Sequence, residues 1–73
     1  MEDGYAFSYN GLWHKLIDMK LQKKDLQKAA HLSASVIAKM GRGESVNLET
    51  IAKICMVLRC GLSDVVEIIL KEE

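Results

Sequence analysis

Few side chains in this chain are of the types that do chemistry, and their spacing narrows the options. Cys55, Cys60, His14 and His31 are its only thiols and imidazoles. A metal knuckle needs two or four residues between paired thiolates and a second ligand pair, and the two cysteines satisfy neither condition. Cys55 falls inside an apolar helical pattern, where a free thiol packs as a small hydrophobe; a redox or disulfide role for the pair is the other reading. No Gly-rich phosphate loop follows a strand, and no Cys/His or Ser/His/Asp grouping occurs at a useful spacing. The expectation is no enzyme, with no catalytic residue, no metal ligand and no cofactor.

Charge is the remaining chemical resource. Ten basic and ten acidic residues give a formal net charge of zero, but they are not mixed evenly. Residues 13–43 hold Lys15, Lys20, Lys23, Lys24, Lys28, Lys39 and Arg42 against Asp18 and Asp25, a local charge of +5. Residues 44–73 hold three cations against six acids, a local charge of −3, and Glu2 and Asp3 add two more negative charges at the start. A chain divided this way offers a positive middle to a polyanion and an acidic end that avoids one.

At 73 residues, 49% hydrophobic and without proline, the chain is one small domain whose core is marginal, so a partner subunit would add stability. No apolar run approaches the roughly 20 residues that span a bilayer, and no basic-then-apolar leader opens the sequence. The expected location is cytoplasmic, with no membrane partner.

The elements that must position the charges follow from periodicity. Tyr5, Phe7 and Tyr9 alternate with Ala6 and Ser8, the period of a short half-buried strand. Residues 1–8 read either as an arm lying on the domain or on a partner, or as a frayed end. From residue 9 to residue 70 the pattern is that of a helical domain, followed by an acidic tail over 71–73. Leu12, Trp13, Leu16, Ile17 and Leu21 form the stripe of a helix over about 9–20, with His14 at the surface. A second helix over about 23–30 turns Leu26, Ala29 and Ala30 inward. Ser33 is an N-cap for a third over about 34–41, carrying Val36, Ile37 and Met40 and closed by Gly41-Arg42-Gly43. Asn47 caps a fourth helix reaching about residue 59, with Glu49 in its first turn and Leu48, Ile51, Ala52, Cys55, Val57 and Leu58 on its apolar face. Ser63 is expected to cap a fifth helix over Asp64 to Leu70. That helix is apolar almost all round, so its outer side needs a cover, most simply a second copy of the chain. Leu26, Ile37, Ile51 and Leu58 are expected in one core.

Two helices of about two turns joined by a three-residue turn have the proportions of a helix-turn-helix. The stretch from Leu21 to Ile69 resembles the Cro and phage-repressor (Xre-type) helix-turn-helix family, especially its small single-domain bacterial regulators. Leu26, Ala30, Leu32, Ile37 and Met40 fill the family's five apolar places in the two-helix unit. Gly41-Arg42-Gly43, Asn47-Leu48-Glu49 and Gly61-Leu62-Ser63-Asp64-Val65 match its loop, its capped helix and its closing segment. Gln27 stands where the family prefers a small residue. His31 stands where it prefers glycine, at a position of positive φ that histidine tolerates at modest cost.

The resemblance implies an all-α, five-helix bundle of the lambda-repressor type. It implies a sequence-specific transcriptional regulator, read as a repressor, that binds double-stranded DNA as a homodimer with its third helix in the major groove. Ala34, Ser35 and Lys39 become the base-reading candidates: lysine for guanine acceptors, serine as donor or acceptor, alanine for a thymine methyl. Lys23, Ser33, Arg42 and Asn47 become the phosphate-binding candidates. Val65, Val66, Ile68 and Ile69 are the expected dimer interface, and no segment is evident for a small-molecule effector. The rival reading is a protein-interaction module, such as an antitoxin or anti-repressor, that uses the same bundle without binding an operator.

Overall fold

The computed structural model describes residues 4–71. In chain order it contains β1 (Tyr5–Ser8), α1 (Asn10–Asp18), α2 (Lys23–Ala29), α3 (Ala34–Gly41), α4 (Leu48–Leu58), α5 (Leu62–Val65) and β2 (Glu67–Leu70). Each helix contributes one of the largest fully buried side chains: Leu12, Leu26, Met40, Ile54 and Val65. Tyr9, Leu16, Ala30, Ile51 and Leu58 complete this core. A layer so thin depends on every member, because a chain of this length buries only about 60% of its unfolded surface.

The helical stripes were legible in outline, with several corrections in detail. In α1, Leu12 and Leu16 are buried, Trp13 is half-buried, and Ile17 is exposed, as the helix touches the core along a narrow seam. In α2, Ala29 is exposed while Leu26 and Ala30 are buried. Ile37 packs on the core margin instead of inside it. In α4, Leu48 and Ala52 face outward, and Ile54, absent from the expected apolar face, is fully buried.

The C-terminal segment is the largest correction. The expected fifth helix over 64–70 is instead a single helical turn, α5, followed by the strand β2. Ser63 is not its cap: Gly61 is, and its N–H donates to Asp64 Oδ2 at 3.0 Å. The β-branched run Val65, Val66, Ile68 and Ile69 favours extended backbone, which helical periodicity alone did not weigh. β2 pairs antiparallel with β1, with Tyr5 opposite Leu70, Ala6 opposite Ile69, Phe7 opposite Ile68 and Ser8 opposite Glu67. The Lys71 N–H donates to the Gly4 carbonyl at 2.8 Å and lengthens the ladder. The fold is therefore a five-helix bundle with a two-stranded sheet, not strictly all-α.

Helix ends are closed by backbone hydrogen bonds around left-handed residues. Lys20, His31 and Arg59 hold φ of 61°, 57° and 58°, and Gly43 holds 75°. After α2, His31 and Leu32 donate back to Lys28 and Gln27 at 3.3 and 2.9 Å. His31 thus takes the glycine-like place in the turn that the sequence assigned to it. Gly11 serves a different need: a Cβ there would lie 2.9 Å from the Asp64 carbonyl oxygen, so its absence lets α1 and α5 meet backbone to backbone.

Candidate nucleic-acid interface

The short turn between α2 and α3 is fixed at both ends, which determines where α3 points. Ser33 Oγ accepts from the Val36 N–H at 3.2 Å, closing the N-terminus of α3. The same hydroxyl lies 3.3 Å from Ser35 Oγ. Ser33 is thereby committed to the helix start, and Ser35 is held beside it. Met40 is buried and Val36 and Ile37 are half-buried, which orients α3 on the core. Its exposed side carries Ala34, Ser35, Ala38 and Lys39. The sequence reading had three of these; Ala38 was missed, although it stands four residues after Ala34, one helical turn on the same face.

Beyond α3 the chain turns sharply. Gly43 N–H donates to the Met40 carbonyl at 3.0 Å and Glu44 N–H to the Lys39 carbonyl at 2.9 Å, the paired bonds of a glycine-closed helix end. Arg42 precedes this turn and is exposed, and its Nε donates to Glu44 Oε2 at 2.8 Å. The Arg42 bond, reinforced by its charge and by that of Lys39, holds the Glu44 carboxyl below its ordinary range. The Tyr9 hydroxyl donates to the Glu44 carbonyl at 2.7 Å and ties the turn to the start of α1. Neither the Arg42–Glu44 pair nor the Tyr9 tether was read from sequence. The one available signal for Tyr9 was its place at the end of the Tyr5, Phe7, Tyr9 alternation.

Lys23 opens α2, and its Nζ sits 4.3 Å from the centre of the Trp13 ring, a cation–π contact. The same Nζ would be 3.9 Å from a Cβ at Gly41, so Lys23 lies near the end of α3. Asn47 Oδ1 accepts from the Thr50 N–H at 2.8 Å and caps α4. β1 flanks the far end of α3: Tyr5, Ala6 and Phe7 share a surface groove with Lys39, Gly43, Glu44 and Ser45.

Of the residues expected at a dimer interface, Val65 is buried within its own subunit and Val66 is half-buried, whereas Ile68 and Ile69 are exposed. Leu70 and Tyr5 extend that exposed apolar surface. Cys55 and Cys60 are both free and half-buried. Burial, and then the neighbouring Cys55, push the Cys60 thiol up, which disfavours a reactive thiolate. Among the described residues no group of three or more His, Cys, Asp and Glu side chains is placed to hold a metal ion, and no helix is long and apolar enough to cross a membrane.

A capped pair of short helices, with the second exposing a small polar stripe and cations at its end, defines a helix-turn-helix of the DNA-binding class. A family model described as the Cro/C1-type HTH DNA-binding domain matches residues 11–71. The chain belongs to the Cro/C1-type helix-turn-helix family. It is also similar to the crystal structure of the transcriptional regulator VanUg (Form II), with 37% sequence identity, a TM-score of 0.89, and coverage of 96% of this chain and 93% of that one. Among curated proteins no sequence matches it.

Proposed function

We propose that this protein is a DNA-binding transcriptional regulator that lays α3 in the major groove. The observation that carries the reading is the exposed stripe Ala34, Ser35, Ala38 and Lys39 on a helix whose start and end are both closed by hydrogen bonds. Family membership and the likeness to VanUg support the regulator class.

In this reading Lys39 reads guanine acceptors, Ser35 donates or accepts at a base edge, and Ala34 and Ala38 meet thymine methyl groups. Arg42, Lys23 and the capped starts of α3 and α4, at Ser33 and Asn47, hold phosphates. The small side chains supply few bidentate contacts, so DNA shape carries part of the specificity. In this reading the protein represses by occupying its site. Two copies would meet through the exposed apolar strand β2, at Ile68, Ile69 and Leu70, with Val66 at its margin. Paired half-sites then require α3 helices about 34 Å apart, one turn of DNA. That same apolar surface is what favours the second reading, a protein-interaction module without operator binding.

Two substitutions separate the assigned roles. Lys39→Ala weakens binding and relaxes sequence preference, whereas Arg42→Ala weakens binding to all sequences about equally. Identical losses from both on every duplex tested would defeat the assignment of Lys39 to base reading. A strict monomer in sedimentation, even on DNA, would remove the paired half-site.

A further inference from the structure

At the end of α3 the surface offered to DNA carries a charge of the wrong sign. Glu44 lies two residues beyond Arg42, and the two side chains are bonded at 2.8 Å with 59% and 47% of their surfaces exposed. Lys39 acts on the same carboxylate through space. The acid is therefore bonded to Arg42, with the Lys39 charge a weaker influence on it. Its backbone is anchored at three points: Gly43 to Met40, Glu44 to Lys39, and the Tyr9 hydroxyl to the Glu44 carbonyl. Gly43 holds φ +75°, a backbone conformation that favours glycine and sets the direction of the turn. A phosphate reaching Arg42 has to displace Glu44 or share the guanidinium with it.

We propose that Glu44 is a built-in competitor of the DNA phosphate for Arg42, lowering affinity for DNA of any sequence. The inference rests on the DNA-binding reading above. The pair is solvent-exposed, so the attraction is weak and the competition graded: DNA still binds, from a lower baseline. Glu44 also acts as a fixed counterion. A cation already neutralised within the protein contributes less to the net release of ions on binding, so the salt dependence is shallower than the number of cations implies.

The test is fluorescence anisotropy on a random-sequence duplex with the full chain, comparing wild type, Glu44→Gln, Arg42→Ala and the double variant across a salt series. Both side chains are exposed, so the variants keep the wild-type fold, which circular dichroism verifies. Glu44→Gln is expected to tighten binding roughly two- to fivefold at about 50 mM salt. It also steepens the salt slope by up to about 0.9 per subunit. In the Arg42→Ala background most of that gain disappears. Equal affinities for wild type and Glu44→Gln would overturn the proposal and leave the DNA-binding reading intact. A gain that persists in full without Arg42 would also overturn it, since the effect would then be one of overall charge. Absence of binding by both wild type and Glu44→Gln at the lowest salt would instead refute DNA binding itself, and the competitor role with it.

Discussion

Tyr9→Phe isolates the tether between the α3–α4 turn and the start of α1. The ring is 4% exposed, and its hydroxyl donates to the Glu44 carbonyl at 2.7 Å. Phenylalanine keeps the ring's packing, including the tilted contact with Trp13 at 6.5 Å between centroids. The variant therefore loses the bond to the Glu44 carbonyl and the hydroxyl's backbone contact at Val46, and little else. A typical intramolecular hydrogen bond contributes about 0.5–1.5 kcal/mol net, so a loss of about 1 kcal/mol is expected. For a domain of this size that corresponds to a fall in melting midpoint of roughly 2–8 °C, read by far-UV circular dichroism. The pH dependence provides a second readout. Burial raises the Tyr9 phenol above its ordinary value, opposed in part by a backbone hydrogen bond at Val46. A group raised on folding stabilises the fold below its unfolded value near 10 and loses that contribution as pH rises through the folded one. Wild type should therefore lose more stability than Tyr9→Phe between about pH 9 and pH 11. An unchanged midpoint together with parallel alkaline profiles would refute the tether.

The other predictions concern core, cap and turn. Ile54→Ala, at a side chain with no exposed surface, should cost about 2–5 kcal/mol in denaturant titrations and leave much of the protein unfolded, whereas Ile37→Ala at the core margin should cost clearly less. Ser33→Ala removes the hydroxyl that accepts from Val36 and should lower stability by about 0.5–2 kcal/mol, measured the same way. His31→Gly should raise the melting midpoint, because φ of 57° is strained for histidine and free for glycine; a lowered midpoint would show that the His31 side chain stabilises the turn by a contact of its own.

What the sequence disclosed follows the range of the forces involved. The starts of α3 and α4 are local events, in which a side-chain oxygen meets an N–H three residues on, and Ser33 and Asn47 were identified for that reason. The glycine-like role of His31 was legible through the family resemblance, which places glycine at that point of the turn. The C-terminal segment was misread because its fate depends on a partner more than 60 positions away: Ile69 pairs with Ala6, a pairing that helical periodicity cannot reveal. The alternation of Tyr5, Phe7 and Tyr9 and the β-branched run from Val65 to Ile69 were both present in the sequence, and only together do they specify a sheet. In the candidate site, residue types pointed to Lys39 and Arg42, but the Arg42–Glu44 bond and the Tyr9 tether depend on where a turn brings side chains together. No spacing rule carried that information.

The central claim, that α3 presents a DNA-reading surface, is tested most directly by anisotropy with random-sequence duplex at about 50 and 200 mM salt, followed by sequencing of the bound fraction. A loss of about two or more decades in affinity between those salts, with an enriched two-fold motif, is the predicted result. Steep salt dependence without a motif would contradict sequence-specific reading. No binding at the lower salt would contradict DNA recognition altogether and turn attention to the apolar surface of Ile68, Ile69 and Leu70.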